Sequence, residues 1–248
     1  MLTAEEIKSN WEEYRTRVNE LFPTRNYELN KMYDDYEERI VMMPASSVAH
    51  YHNAFAGGYT KKLYESWTDM GADMSGYSKE EMMFAAMHHD LGKCGFPGKG
   101  REVYQVETSD WHRKNMGRMY KHNENIPFTM VPDLSLYLLQ KYQVQMSWNE
   151  YQAIKIHDGI YDDANKPYFI ARTAQAKLKT NLPLILHHAD HMASQIEYEH
   201  WRKHKNNSPK PVNVKSKATK KTAIKNLAEQ NPEIDKSITD IFKSFGES

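Results

Sequence analysis

Wherever this chain shows a hydrophobic rhythm, the rhythm is helical. In the opening segment Ile7, Trp11, Tyr14, Val18 and Leu21 recur at alternating steps of four and three, the stripe of a helix that buries one side. Thr3 and Glu6 stand where a capping box would begin it, and Pro23 stops it. A second helix is expected over 27–42, ending before Met43-Pro44 because a residue ahead of proline avoids the helical region. Ser78 to Glu81 reads as another capping box, opening a helix through MMFAAMHH that ends near Gly92. Asp133 is expected to cap LSLYLLQKYQ, Ser147 with Glu150 to cap a helix running to His157, and Pro183 to open a long helix near 182–204. A weaker pattern from Thr222 to Phe245 suggests a terminal helix or two, interrupted at Pro232. No stretch alternates convincingly as a strand. Eleven Gly and ten Pro in 248 residues are also too few for a fold that turns every ten residues or so. The expected class is therefore all-α.

Charge divides the chain more informatively than composition does. The 33 Lys and Arg balance the 33 Asp and Glu over the whole length. Residues 1–200, however, hold 22 basic against 28 acidic residues, 201–228 hold nine basic and no acidic, and 229–248 hold two against five. The basic block is polar, contains proline and is poor in aromatics, which suits a linker or mobile arm. Such an arm could make salt-dependent contact with a polyanion, but Trp201 is its one aromatic and no base-stacking platform follows. A free nucleotide is thus favoured over RNA or DNA as partner. The terminal segment could dock on the domain or on another copy of the chain, so a homo-oligomer stays open. The single cysteine, Cys94, excludes a disulfide framework and suits a reducing cytoplasm. No apolar run reaches the ~18 residues of a membrane span, and the start has no basic flank leading into an apolar stretch, so a soluble cytoplasmic protein is expected.

Ionisable residues sit at places that ought to be apolar. His89-Asp90 ends a buried-looking helix and leads straight into Leu91-Gly92-Lys93. A neutral imidazole and a carboxylate at one helix end can turn toward one cation, and such mixed nitrogen and oxygen ligation suits Mn, Fe, Mg or Zn. His157-Asp158 ends its own helix just before Gly159. His187, His188 and Asp190 interrupt the apolar fragment LPLILHHADHMA, where ionisable groups cost several kcal/mol unless paired or bound to a cation. His187 and Asp190, three apart, share a face. His50 and His52 precede Gly57-Gly58. Between Gly92 and His112 the glycine-rich stretch GKCGFPGKGR reads as a long loop beside the His-Asp pair, a candidate phosphate-facing lid, but it is no Walker motif.

The order of a histidine near a Gly-Gly turn, then HHDLGK at 88–93, HDG at 157–159 and HHAD at 187–190, resembles the HD-domain superfamily of metal-dependent phosphohydrolases. The HNAFAGGY stretch at 52–59 is similar to the branch holding HD-type 3′–5′ exoribonucleases and relaxase-associated HD domains, and residues 1–202 resemble HD hydrolases of tailed bacteriophages. The resemblance implies an HD-type helical bundle over 1–202, with a basic linker at 203–222 and an amphipathic C-terminal helical segment at 223–248 outside it. It implies a divalent metal ion (Mn, Fe, Mg, Co, Ni or Zn) held by His89, Asp90 and Asp190, with His157 and His112 as extra histidines of two-metal members. It further implies that Lys93 faces substrate phosphate; Arg113 and His188 are added as candidate substrate contacts, Arg113 because it follows His112. In the Gly-Gly branch the first metal histidine lies four residues after the second glycine, where this sequence has Lys62. Either His52 or His50 substitutes, with His52 preferred, or a ligand is missing.

The expected activity is hydrolysis of a nucleotide phosphoester by metal-activated water, with Asp90 and Lys93 as catalytic residues. Two alternatives stand beside it. Lys62 motivates a nucleotide-binding or regulatory protein on an HD scaffold with an impaired centre, and His112 with His157 motivates a two-iron oxygenase.

Overall fold

The computed structural model describes residues 3–49, 54–56, 58–59, 76–170, 173–175 and 177–204. The expectations placed on His50, His52, Lys62, the linker beyond His204 and the segment 223–248 lie outside the described residues.

Helix α1 (Ala4–Leu21) starts in the full capping box of Thr3 and Glu6, and its stripe of Ile7, Trp11, Tyr14 and Val18 is buried as the spacing requires. It packs on α2 (Asn26–Met42), to which the Trp11 indole N–H donates at Glu37 Oε1, 2.6 Å away. Helix α3 (Lys79–His88) is the centre of the structure: every residue from Met82 to His88 is buried. A helix apolar on all sides has no preferred face because it is packed from all sides. Only half of the expected capping box forms there. Ser78 accepts the Glu81 N–H at 3.1 Å, but the Glu81 carboxylate accepts from Ser147 Oγ at 3.0 Å instead of returning to Ser78.

After α3 the chain makes a 3-10 turn (Leu91–Cys94) that packs on α5 (Val131–Lys141), with the β-hairpin region between them. The start of α5 differs from expectation. It begins at Val131 with Pro132 in its first turn, so the preset φ of proline fixes the start and Asp133 lies inside the helix. Helix α6 (Trp148–Lys155) has the expected Ser147–Glu150 capping box. Past it come short 3-10 turns at Gly159–Tyr161 and Asp163–Asn165, a one-turn helix α7 (Lys166–Phe169), and the long α8 (Leu182–His204), which packs on α3 and α6.

The fold is mostly helical, yet strands are present. Strands β1 (Tyr104–Val106) and β2 (Tyr120–His122) pair antiparallel in the register Tyr104 to His122, and α4 (Asp110–Met116) bridges them. Three residues each are too short to show alternation in sequence. The glycine-rich loop before β1 is pinned: Arg39 donates to the carbonyls of Phe96 and Gly98, and the Asn123 amide to those of Gly100 and Glu102. A buried cation ties together the starts of α2, α3 and α6. Arg25 binds Glu150 through two bonds of 3.0 Å and Glu80 at 2.7 Å, with its guanidinium 4.0 Å from the Phe84 ring centre. Among the described residues no helix is long and apolar enough to cross a membrane.

Candidate metal centre

Three elements deliver the ionisable residues to one place. His89 and Asp90 follow the last turn of α3, His157 follows α6, and Asp190 lies in the third turn of α8. Donor atoms of His89, Asp90 and His157 all lie within 4.8 Å of one another, and all three residues are buried. His89 Nε2 is 3.4 Å from Asp90 Oδ2 and 3.8 Å from Asp190 Oδ1, while His157 Nε2 is 3.9 Å from Asp90 Oδ1 and 3.6 Å from Asp158 Oδ1. The two imidazole rings meet edge to face with centroids 4.6 Å apart.

The backbone fixes which nitrogen of each ring is available. His89 Nδ1–H donates to the Ala86 carbonyl and His157 Nδ1–H to the Ile154 carbonyl, both at 2.9 Å. Each bond sets the ring so that Nε2 faces the carboxylates, the arrangement by which proteins orient metal-ligating histidine. Ligands on one ion at ~2.0–2.2 Å stand no more than about 4.4 Å apart. The contacts of 3.4–3.9 Å fall inside that limit, while the three donors of His89, Asp90 and His157 as a set lie within 4.8 Å, so this nitrogen and carboxylate set could hold a single divalent cation with a small inward shift of the side chains.

Electrostatics within the cluster are strongly coupled. Burial pushes the Asp90 carboxyl up, but Lys93, His89 and His157 outweigh it and hold the group well below the usual carboxylate range. Burial lowers His89, yet the charge and hydrogen bond of Asp90, with Asp190 behind them, raise it overall. His157 is lowered, first by burial and then by the charge of His89. Lys93 places its ammonium on the Asp90 carboxylate and on the Ala45 carbonyl, the latter at 2.6 Å.

The remaining sequence candidates take varied places. His187 Nδ1 donates to the His157 carbonyl at 2.8 Å, so α8 supports the turn that carries His157. His188 is exposed, its ring 5.4 Å from that of His187. His112 faces Glu107 Oε2 at 3.2 Å and is absent from the grouping of His89, Asp90 and His157. Arg113 lies in the last turn of α4, where its charge complements the partial negative charge of the helix C-terminus. His88, next to the cluster, is a core residue: Nδ1–H donates to the Phe84 carbonyl at 2.7 Å and Nε2 accepts from Tyr33 Oη at 2.5 Å.

Several supporting residues escaped the sequence reading. Ser135 of α5 accepts the Gly92 N–H at 2.8 Å and donates to the His89 carbonyl at 2.8 Å. A lone polar residue between Leu134 and Leu136 was its available signal. Gly92 permits this approach, since a Cβ there would stand 2.3 Å from the Val131 carbonyl oxygen. Tyr161 and His191 lie against His187, and nothing in the local sequence marks them.

No protein-family model matches the chain, and no curated protein or solved structure matches it.

Proposed function

We propose that the chain is a metal-dependent phosphohydrolase acting on a phosphoester of a nucleotide. The observation that carries this reading is the meeting of His89, Asp90 and His157, with Asp190 beside them, from three separate elements. Two buried imidazoles, each held through Nδ1 by a backbone carbonyl and each turning Nε2 toward a charged carboxylate, make a donor set of the kind that binds a divalent cation. The HHDLGK, HDG and HHAD order adds the HD-type resemblance to the same conclusion.

A divalent cation bound by these donors lowers the pKa of water toward neutrality and offsets charge on a phosphoryl group. His89, Asp90 and His157 would hold it from the buried side. Asp190, whose side chain is 29% exposed, closes the set on the side open to solvent. Lys93 contributes a fixed positive charge beside Asp90, where phosphoryl oxygens gain negative charge as the ester breaks. The Asp90 carboxyl is ionised across the neutral range, so it enters the reaction as an acceptor and holds no proton to give.

Metal analysis of the purified chain, followed by a panel of nucleoside mono-, di- and triphosphates and short oligonucleotides with Mn, Fe, Mg, Co, Ni and Zn, tests the proposal. One bound cation with nucleotide turnover is the expected result. Asp90→Ala should abolish turnover while leaving the helical circular-dichroism signal nearly intact, and retained activity in that variant would sink the reading. Absence of bound metal would favour a binding module, and two irons with oxygen consumption an oxygenase.

A further inference from the structure

Immediately after His157 and Asp158 the chain turns through Gly159 to Tyr161, and the Tyr161 ring stands 76% exposed. It is held from beneath. The His191 ring lies 6.2 Å away and within 25° of parallel, and the His187 ring lies 5.8 Å away. His187 and His191 are themselves 24° from parallel at 6.4 Å, one helical turn apart on α8. His187 is in turn bonded to the His157 carbonyl and packed over Gly159, so this group of rings is anchored to the backbone of a candidate metal ligand.

An exposed aromatic ring, backed by two imidazoles, therefore has a defined orientation beside the candidate metal centre. Tyr161 stands four positions after His157 and is joined to it through His187, whose Nδ1 bonds the His157 carbonyl at 2.8 Å and whose ring lies 5.8 Å from that of Tyr161. We propose that Tyr161, supported by His187 and His191, is the platform on which the substrate's base stacks while its phosphate meets the His89, Asp90 and His157 cluster. This rests on the phosphohydrolase reading and narrows it to phosphoesters carrying an aromatic base. Every base has a π-face, so a platform of this kind selects nucleotides over sugar phosphates with little choice among bases.

The test is calorimetric binding to the full chain loaded with Mn²⁺, using AMP, UMP and ribose 5-phosphate as probes. The wild type and Tyr161→Phe should bind AMP and UMP within a few-fold of each other and about tenfold more tightly than ribose 5-phosphate. Tyr161→Ala should lose that tenfold for the nucleotides and leave ribose 5-phosphate within about twofold. At this exposure the substitution should leave the fold intact, which circular dichroism checks. Equal affinity for all three probes in the wild type, or parallel weakening of all three in Tyr161→Ala, would overturn the platform while leaving phosphoester chemistry standing. Failure of every probe to bind, with no turnover in the metal and nucleotide panel, would overturn both.

Discussion

The hydroxyl of Ser135 donates to the backbone carbonyl of His89 at 2.8 Å, across the contact between α5 and the end of α3. The same oxygen accepts the Gly92 N–H, so one buried side chain satisfies both a carbonyl at the helix terminus and the turn that presents Asp90 and Lys93. Ser135→Ala leaves that N–H buried and unpaired, at a cost of about 1–3 kcal/mol. We expect a lower urea midpoint with an unchanged slope, together with about tenfold weaker metal retention in chelator competition. A variant with full stability and full metal retention would show that the turn holds its shape without Ser135.

Gly159 takes φ +59, and a Cβ built on it would come within 2.7 Å of the His187 ring. Gly159→Ala therefore meets two penalties, the left-handed backbone at roughly 1–2 kcal/mol and a clash with a ring bonded to the His157 carbonyl. Relief requires His187 to retreat, which breaks the bond to the turn carrying His157. The expected result is a loss of more than about 2 kcal/mol in stability, beyond the backbone penalty alone, with weakened metal binding. Unchanged binding in this variant would show that His157 is positioned without help from α8.

The parts legible from sequence are those whose cause is local. The stripe of α1 and the boxes at Thr3 and Ser147 depend on residues three or four apart, and they form where the spacing puts them. Proximity of His89, Asp90, His157 and Asp190 was suggested by ionisable groups in otherwise apolar helices, a local anomaly whose explanation is long-range. What escaped notice has no local signature. Arg25 is one more basic residue in sequence, yet its partners lie 55 and 125 positions away. The Glu81 carboxylate was assigned to its own helix cap, but Ser147 competes for it from another helix. At α5 the sequence points to an Asp133 cap, but the helix starts at Val131 with Pro132 in its first turn, because the φ of proline is already set.

Burial holds the His88 imidazole down at about 3, against about 6.5 in an unfolded chain. Between those values the unfolded state binds a proton that the native state does not, so stability falls as pH falls through the window. The slope from this residue alone is about 1.4 kcal/mol per pH unit. Urea midpoints at pH 7.5, 6.5 and 5.5 should therefore decline on acidification. His88→Gln should decline less steeply although it starts from a lower stability. Equal slopes in the two proteins would mean that His88 is protonated within the folded core, against its donor bond to Phe84 and its acceptor bond from Tyr33.

Lys93 holds the carboxylate that a divalent cation at the proposed site would also need. The ammonium rests on Asp90 and on the Ala45 carbonyl, and the Asp90 charge keeps it protonated despite burial. A fixed positive charge a few ångströms from a cation site opposes binding of that cation, and it withholds a carboxylate oxygen from coordination. Removing the charge while keeping the aliphatic stem, as in Lys93→Met, should tighten metal binding by about tenfold in chelator competition. On the proposed phosphohydrolase reading, the same change should lower phosphoester turnover, because Lys93 would offset charge developing on the phosphoryl oxygens. Tighter metal with slower turnover is the signature of a residue that trades cation affinity for charge stabilisation. Weaker metal binding in Lys93→Met would instead make Lys93 a support that aims Asp90 at its ligand position.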